Sequence, residues 1–154
     1  MATPDLTAHH PSRLLELERP LQPTQWAAII GSMVVLLWSF AGLIANPDFA
    51  VGGSATSERV LGVDMNGWHA LSGILLAIPG LFAALRASWA GLFNLAAAGS
   101  LIFTGIWALL DSQVYGGLFY LPHTGADALL HFGVSAIFLA GAEHYFLASN
   151  RRRA

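Results

Sequence analysis

Four stretches of this chain run about 20 residues each with almost no charge: roughly 26–45, 65–85, 87–110 and 126–148. The hydrocarbon core of a bilayer is about 30 Å thick and takes about 20 apolar helical residues to cross. No other requirement imposes this pattern on a chain of 154 residues. Composition agrees. Apolar residues make up 55 % and charged residues 10 %, against about 25 % charged in soluble domains. That argues against a soluble globular enzyme. A net charge of −2 with no basic stripe argues against nucleic-acid binding. The absence of cysteine excludes disulfides, thiolate metal sites and cysteine nucleophiles.

The spacing predicts an all-α integral membrane four-helix bundle over residues 25–148. A tail, 1–24, precedes it and a basic tail, 149–154, follows it. Within the first tail, 12–19 reads as a short interfacial helix with Ser12 as N-cap and Leu14, Leu15 and Leu17 as its apolar face. The first apolar stretch follows too long a polar tail, and is itself too long, to be a cleaved signal. Of the seven basic residues, Arg13, Arg19, Arg86, Arg151, Arg152 and Arg153 fall on one side of the spans and Arg59 on the other. The positive-inside rule then puts both termini in the cytoplasm, of a bacterial inner membrane by the resemblance given below.

The spans read as two copies of one hairpin, arranged as parallel repeats. Gly31-Ser32 and Trp38 echo Gly99-Ser100 and Trp107. His69, Gly73 and Ala77 match the spacing of Asp127, His131 and Ser135. Small residues mark the expected packing seams, because helices in lipid associate by close backbone approach. They are Gly73, Ala77, Gly80 and Ala84 in the second span; Ala98, Gly99 and Gly105 in the third; and Gly133, Ala136 and Ala140 in the fourth. Pro79 is expected to kink the second span.

Ionisable groups in hydrocarbon are costly and need a partner or a use. Asp127 and His131 share a helix face, and His69 falls at a similar depth on another helix. The expected arrangement is a polar cluster of Asn66, His69, Asp127 and His131, with an Asp127–His69 contact and with His123 able to join from its loop. Three readings compete. In the first the cluster ties the helices together. In the second, His69 and His131 bind a cofactor such as haem b, or a metal, although no metal-ligand spacing is present. In the third, Asp127 serves proton or ion passage. Glu143 lies near the other end, within reach of Arg86 or the C-terminal arginines, or snorkelling to the interface.

Asn66-Gly67-Trp68-His69 resembles the Asn-x-x-His signature that opens the second span of domain-of-unknown-function family 4383, a group of small bacterial integral membrane proteins. Ala126 to His131 resembles the Ala-Asp-x-x-x-His signature of the same family's fourth span. The resemblance covers about 26–148 and implies a four-span membrane protein, without naming a reaction. The chain departs from the pattern at Gly73, where the family has a second His, at Ala70, and at Thr124, where the family has Asn. A site built symmetrically from the two deeper His would keep only His131 here.

These readings favour a non-enzymatic structural or accessory subunit, with no catalytic residue, no metal and no cofactor expected. The alternatives are a haem- or metal-binding redox protein, and a small proton-linked transporter or channel. The bilayer is the one assured partner. A homo-oligomer and a larger membrane complex would both use the small-residue faces.

Overall fold

The computed structural model describes residues 20–110, 113–114 and 121–151. The expected helix at 12–19 and the arginines at 13, 19, 152 and 153 lie outside them. Four helices carry the fold: α1 (Pro23–Ala45), α2 (Gly67–Ala83), α3 (Ala87–Leu110) and α4 (Gly125–Arg151). By length and composition, α1, α3 and α4 can cross a membrane. The 17 residues of α2 reach about 26 Å at 1.5 Å per residue. This helix is shorter than the stretch 65–85 suggested. Met65 belongs to a strand, Asn66 is the N-cap, and the turn to α3 begins at Ala84. The helix runs on through Pro79 to Ala83.

Both connections at one end of the bundle contain a small antiparallel hairpin, which an all-helical reading left out. Strands β1 (Glu58–Val60) and β2 (Val63–Met65) turn through Leu61 and Gly62, both at positive φ. Two successive positive-φ residues suit the twist of a tight hairpin. Strands β3 (Gln113–Val114) and β4 (Leu121–Pro122) pair likewise. Ahead of the first hairpin, the Asp48 carboxylate accepts bonds from Ala50 N, Thr56 N and Thr56 Oγ1. The Thr56 hydroxyl and these amides hold Asp48 below the ordinary carboxylate pKa.

Helix α1 packs against α2 and α4, α3 packs against α4, and α2 and α3 touch little. The seam expected on α2 is formed. Gly73 lies against Ser39 and Gly80 against Ser32, while Ala77 and Ala84 are buried. Gly105 is likewise packed, against Phe132. The seam expected on α4 is not formed: Gly133, Ala136 and Ala140 are all exposed. The bundle centre is filled instead by Phe138, fully buried, with Val134, Ala97, Ala98 and Leu101 around it. A large ring needs a small partner, and Gly31 of α1 provides it.

The repeat survives in part. Both hairpins end one residue or two before an N-cap followed by glycine, Asn66-Gly67 and Thr124-Gly125. The proposed pairing of Gly31-Ser32 with Gly99-Ser100 fails, because the first pair is buried and the second exposed.

At the Arg86 end, polar ties close the bundle. Gln25 Nε2 donates to the Ala84 carbonyl at 2.8 Å and Asn94 Nδ2 to the Thr24 carbonyl at 2.9 Å. Arg86 stacks over Trp89, 4.7 Å from the ring centre. Glu143 is exposed and forms no ion pair among the described residues. A Cβ at Gly31 would sit 2.6 Å from two carbons of Phe138. Gly31→Val should therefore destabilise the bundle by about 1–3 kcal/mol, read from unfolding in detergent. Adding Phe138→Leu to the same chain should recover part of that loss.

Candidate functional site

Helix starts decide where the polar side chains go. Asn66 caps α2 by accepting the His69 amide hydrogen at 2.9 Å. Thr124 caps α4, and its amide donates to Asp127 Oδ2 at 2.7 Å while its hydroxyl donates to the same oxygen. This is the return half of a capping box, with a carboxylate favoured in the first turn by the helix dipole. The expected Asp127–His69 hydrogen bond is therefore not made. Asp127 is fully buried; its Oδ2 is spent on its own helix start, while its Oδ1 makes no hydrogen bond. Asn66 likewise acts as a cap.

The histidines do come together, and they number three. His69 from the first turn of α2, His131 from α4 and His123 from the residue after β4 form one stack. Ring centres lie 4.8 Å apart for His69–His123, 5.3 Å for His123–His131 and 6.0 Å for His69–His131. One ring nitrogen from each lies within 4.8 Å of the others. His123, only a possible addition in the sequence, is the most deeply buried of the three.

Backbone carbonyls fix the tautomers. His69 Nδ1 lies 3.0 Å from the Asp64 carbonyl oxygen, and His123 Nδ1 lies 2.9 Å from that of Leu121. A carbonyl can only accept, so both rings carry their proton on Nδ1 and a lone pair on Nε2. His123 Nε2 is buried without a partner. His131 Nδ1 also makes no hydrogen bond there. Each hairpin thus supplies one orienting carbonyl, which is how metal-binding histidines are usually held.

Gly73, where the family pattern has a second His, presses against Ser39. A Cβ there would meet the Ser39 hydroxyl, which would have to turn away, and would press on Val35. The third imidazole comes from the other connection instead. A cavity of about 380 Å³ adjoins the cluster and is walled by all four helices. Trp38 borders it, and its Nε1 is buried without a partner. No carboxylate lines it.

Burial pushes the His123 imidazole below its ordinary pKa, outweighing the opposite pull of the Leu121 carbonyl and the Asp127 charge. As pH falls, the unfolded chain takes up this proton first. The stability involved is fully present above about pH 6.5 and drains away below it. With chelator present, the midpoint of thermal unfolding should fall between pH 7 and pH 5, and His123→Gln should make that dependence shallower. An equally steep fall in the variant would remove His123 as its source.

No curated protein and no solved structure matches the chain. Residues 25–143, from the first turn of α1 to the later turns of α4, match the family model described as "Domain of unknown function (DUF4383)", and the chain belongs to that family.

Proposed function

We propose that this integral membrane protein is a non-enzymatic accessory subunit that holds one divalent transition-metal ion at His69, His123 and His131. The observation that carries this reading is the convergence of three neutral imidazoles, two of them turned by backbone carbonyls so that their Nε2 lone pairs are left over. An unpaired buried polar atom costs roughly 1–3 kcal/mol, and ring nitrogens of His123 and His131 are both buried without a partner; a metal ion held by the three rings would relieve that cost. Imidazole suits zinc, copper, nickel and iron. Tetrahedral zinc with bonds of about 2.0–2.1 Å needs nitrogens about 3.3 Å apart. The present limit of 4.8 Å therefore closes by side-chain rotation on binding.

A single ion suits the site better than haem b does. The His69 and His131 rings are nearly parallel, at 8°, and His123 stacks against both. A porphyrin between the first two would have to expel the third. Proton passage has less support: one Asp127 oxygen is engaged in the α4 cap, and no carboxylate lines the cavity. The accessory role is supported by the exposed Gly133, Ala136 and Ala140 face of α4, which is left for lipid or for another helix. The basic-residue bias favours an outward-facing site in a bacterial inner membrane, with both termini inside.

The test is metal content of protein purified in detergent, stripped with chelator and reloaded with zinc. One equivalent per chain is expected. His123→Ala should weaken binding by more than about 100-fold, beyond the roughly 10–100-fold typical of losing an outer hydrogen-bond partner. Asp127→Asn should leave the stoichiometry intact. Affinity should fall with pH, since protons compete for the same lone pairs. Zinc retention by His123→Ala equal to that of the unaltered chain would sink the proposal.

A further inference from the structure

We infer that the fourth coordination position of this metal takes the carboxylate of a long-chain fatty acid, which reaches it from the bilayer through the gap between α2 and α3. The inference rests on the metal reading above and adds the ligand class.

Three protein ligands leave a tetrahedral ion one open position. The histidines stand at one part of the cavity wall, and Val34, Val35, Leu76, Leu101 and Val134 supply apolar wall elsewhere. The open position therefore adjoins an apolar chamber. That chamber has a side door. Among the lining residues, Ser72 and Leu75 of α2 and Ser100 of α3 are exposed, and these two helices make few contacts with each other. The gap lies along helix flanks that are lipid-facing in a bilayer, so what enters there is dissolved in the membrane.

Charge and hydrogen bonding specify its head group. Three neutral imidazoles leave a divalent ion with its full charge in a low-dielectric interior, a costly arrangement without an anion. No lining residue is acidic; Asp127, behind His123, has Oδ2 held by Thr124 and Oδ1 without a partner, and its charge offsets one of the ion's two. The remaining charge calls for one monovalent anion from the ligand. A carboxylate oxygen provides it, and its second oxygen can accept from a donor that the protein leaves unused, the Trp38 Nε1–H.

The doorway specifies the tail. Ser72 Oγ donates to the His69 carbonyl at 2.8 Å and Thr104 Oγ1 to the Ser100 carbonyl at 3.0 Å. Both hydroxyl hydrogens are spent on their own helices. The Ser100 hydroxyl is the one left at the doorway, beside apolar Leu75, and the wall within is Val34, Val35, Leu76, Leu101 and Val134. An alkyl chain needs no donor, packs on that wall and can continue into the surrounding lipid. Binding is a ligand exchange: one carboxylate oxygen donates a lone pair to the metal and a coordinated water leaves.

The experiment uses full-length protein loaded with cobalt in a neutral maltoside detergent, with laurate as probe and acetate as its short-chain control. Laurate should shift the visible cobalt bands saturably, and acetate at the same concentration should not. Ser100→Trp, which fills one lip of the doorway, should retain one cobalt per chain and raise the laurate concentration needed by at least about tenfold. Leu75→Trp does the same from the opposite lip should the first variant fail to fold. Laurate partitions equally into the micelles of every sample, so the comparison reports on the doorway. Cobalt bound without any response to laurate overturns this inference and leaves the metal site standing. An unchanged laurate response in both Trp variants overturns the route. Failure to bind cobalt overturns both readings.

Discussion

The layer that joins the hairpins to α2 and α4 obeys one constraint: polar groups next to hydrocarbon must find partners within the protein. Each helix start satisfies its own amides with a side chain, Asn66 for α2 and the Thr124–Asp127 pair for α4. Each hairpin then offers a carbonyl to a histidine ring. Backbone, cap and imidazole form one chain of donors and acceptors. What remains unsatisfied at its end is one oxygen of Asp127 and ring nitrogens of His123 and His131. The candidate site is the remainder of that accounting.

The two connections of this layer are alike in plan and unlike in their side chains. The two hairpin-cap-helix units share the sequence Asn/Thr-Gly at the same structural position. Symmetry would put imidazoles at Gly73 and His131. The first unit has glycine at that position, and its α2 approaches α1 so closely that Ser39 occupies the space. The second copy contributes His131 and His123, the first only His69. An asymmetric trio results, with a cavity beside it where α2 and α3 stand apart.

Packing elsewhere shows how far small residues can be read from sequence. Gly73, Ala77, Gly80 and Ala84 form a seam because α1 offers Ser32 and Ser39 opposite them. Gly133, Ala136 and Ala140 have the same periodicity and face outward. The difference lies two positions away, where Phe138 claims the interior and Gly31 makes room for it. Periodicity marks a face that allows close approach. It does not say whether another helix of the same chain arrives there. Asn94 was passed over for a similar reason. Nothing near it in sequence signals that Thr24, 70 residues away, accepts its amide hydrogen.

The amino-acid sequence determined the solvent, the helices and the chemistry available, because apolar length and charge scarcity act locally and add along the chain. His69 and His131 were legible as candidates on the same ground: a titratable group in an apolar helix demands explanation wherever the helix packs. The tertiary structure decided the rest. It spent Asp127 on a cap, brought His123 from its loop into the centre of the cluster and turned the Nε2 lone pairs of His69 and His123 away from their carbonyls. Those outcomes depend on distances between segments tens of residues apart, and a hydrogen-bond donor goes to the acceptor that folding puts nearest.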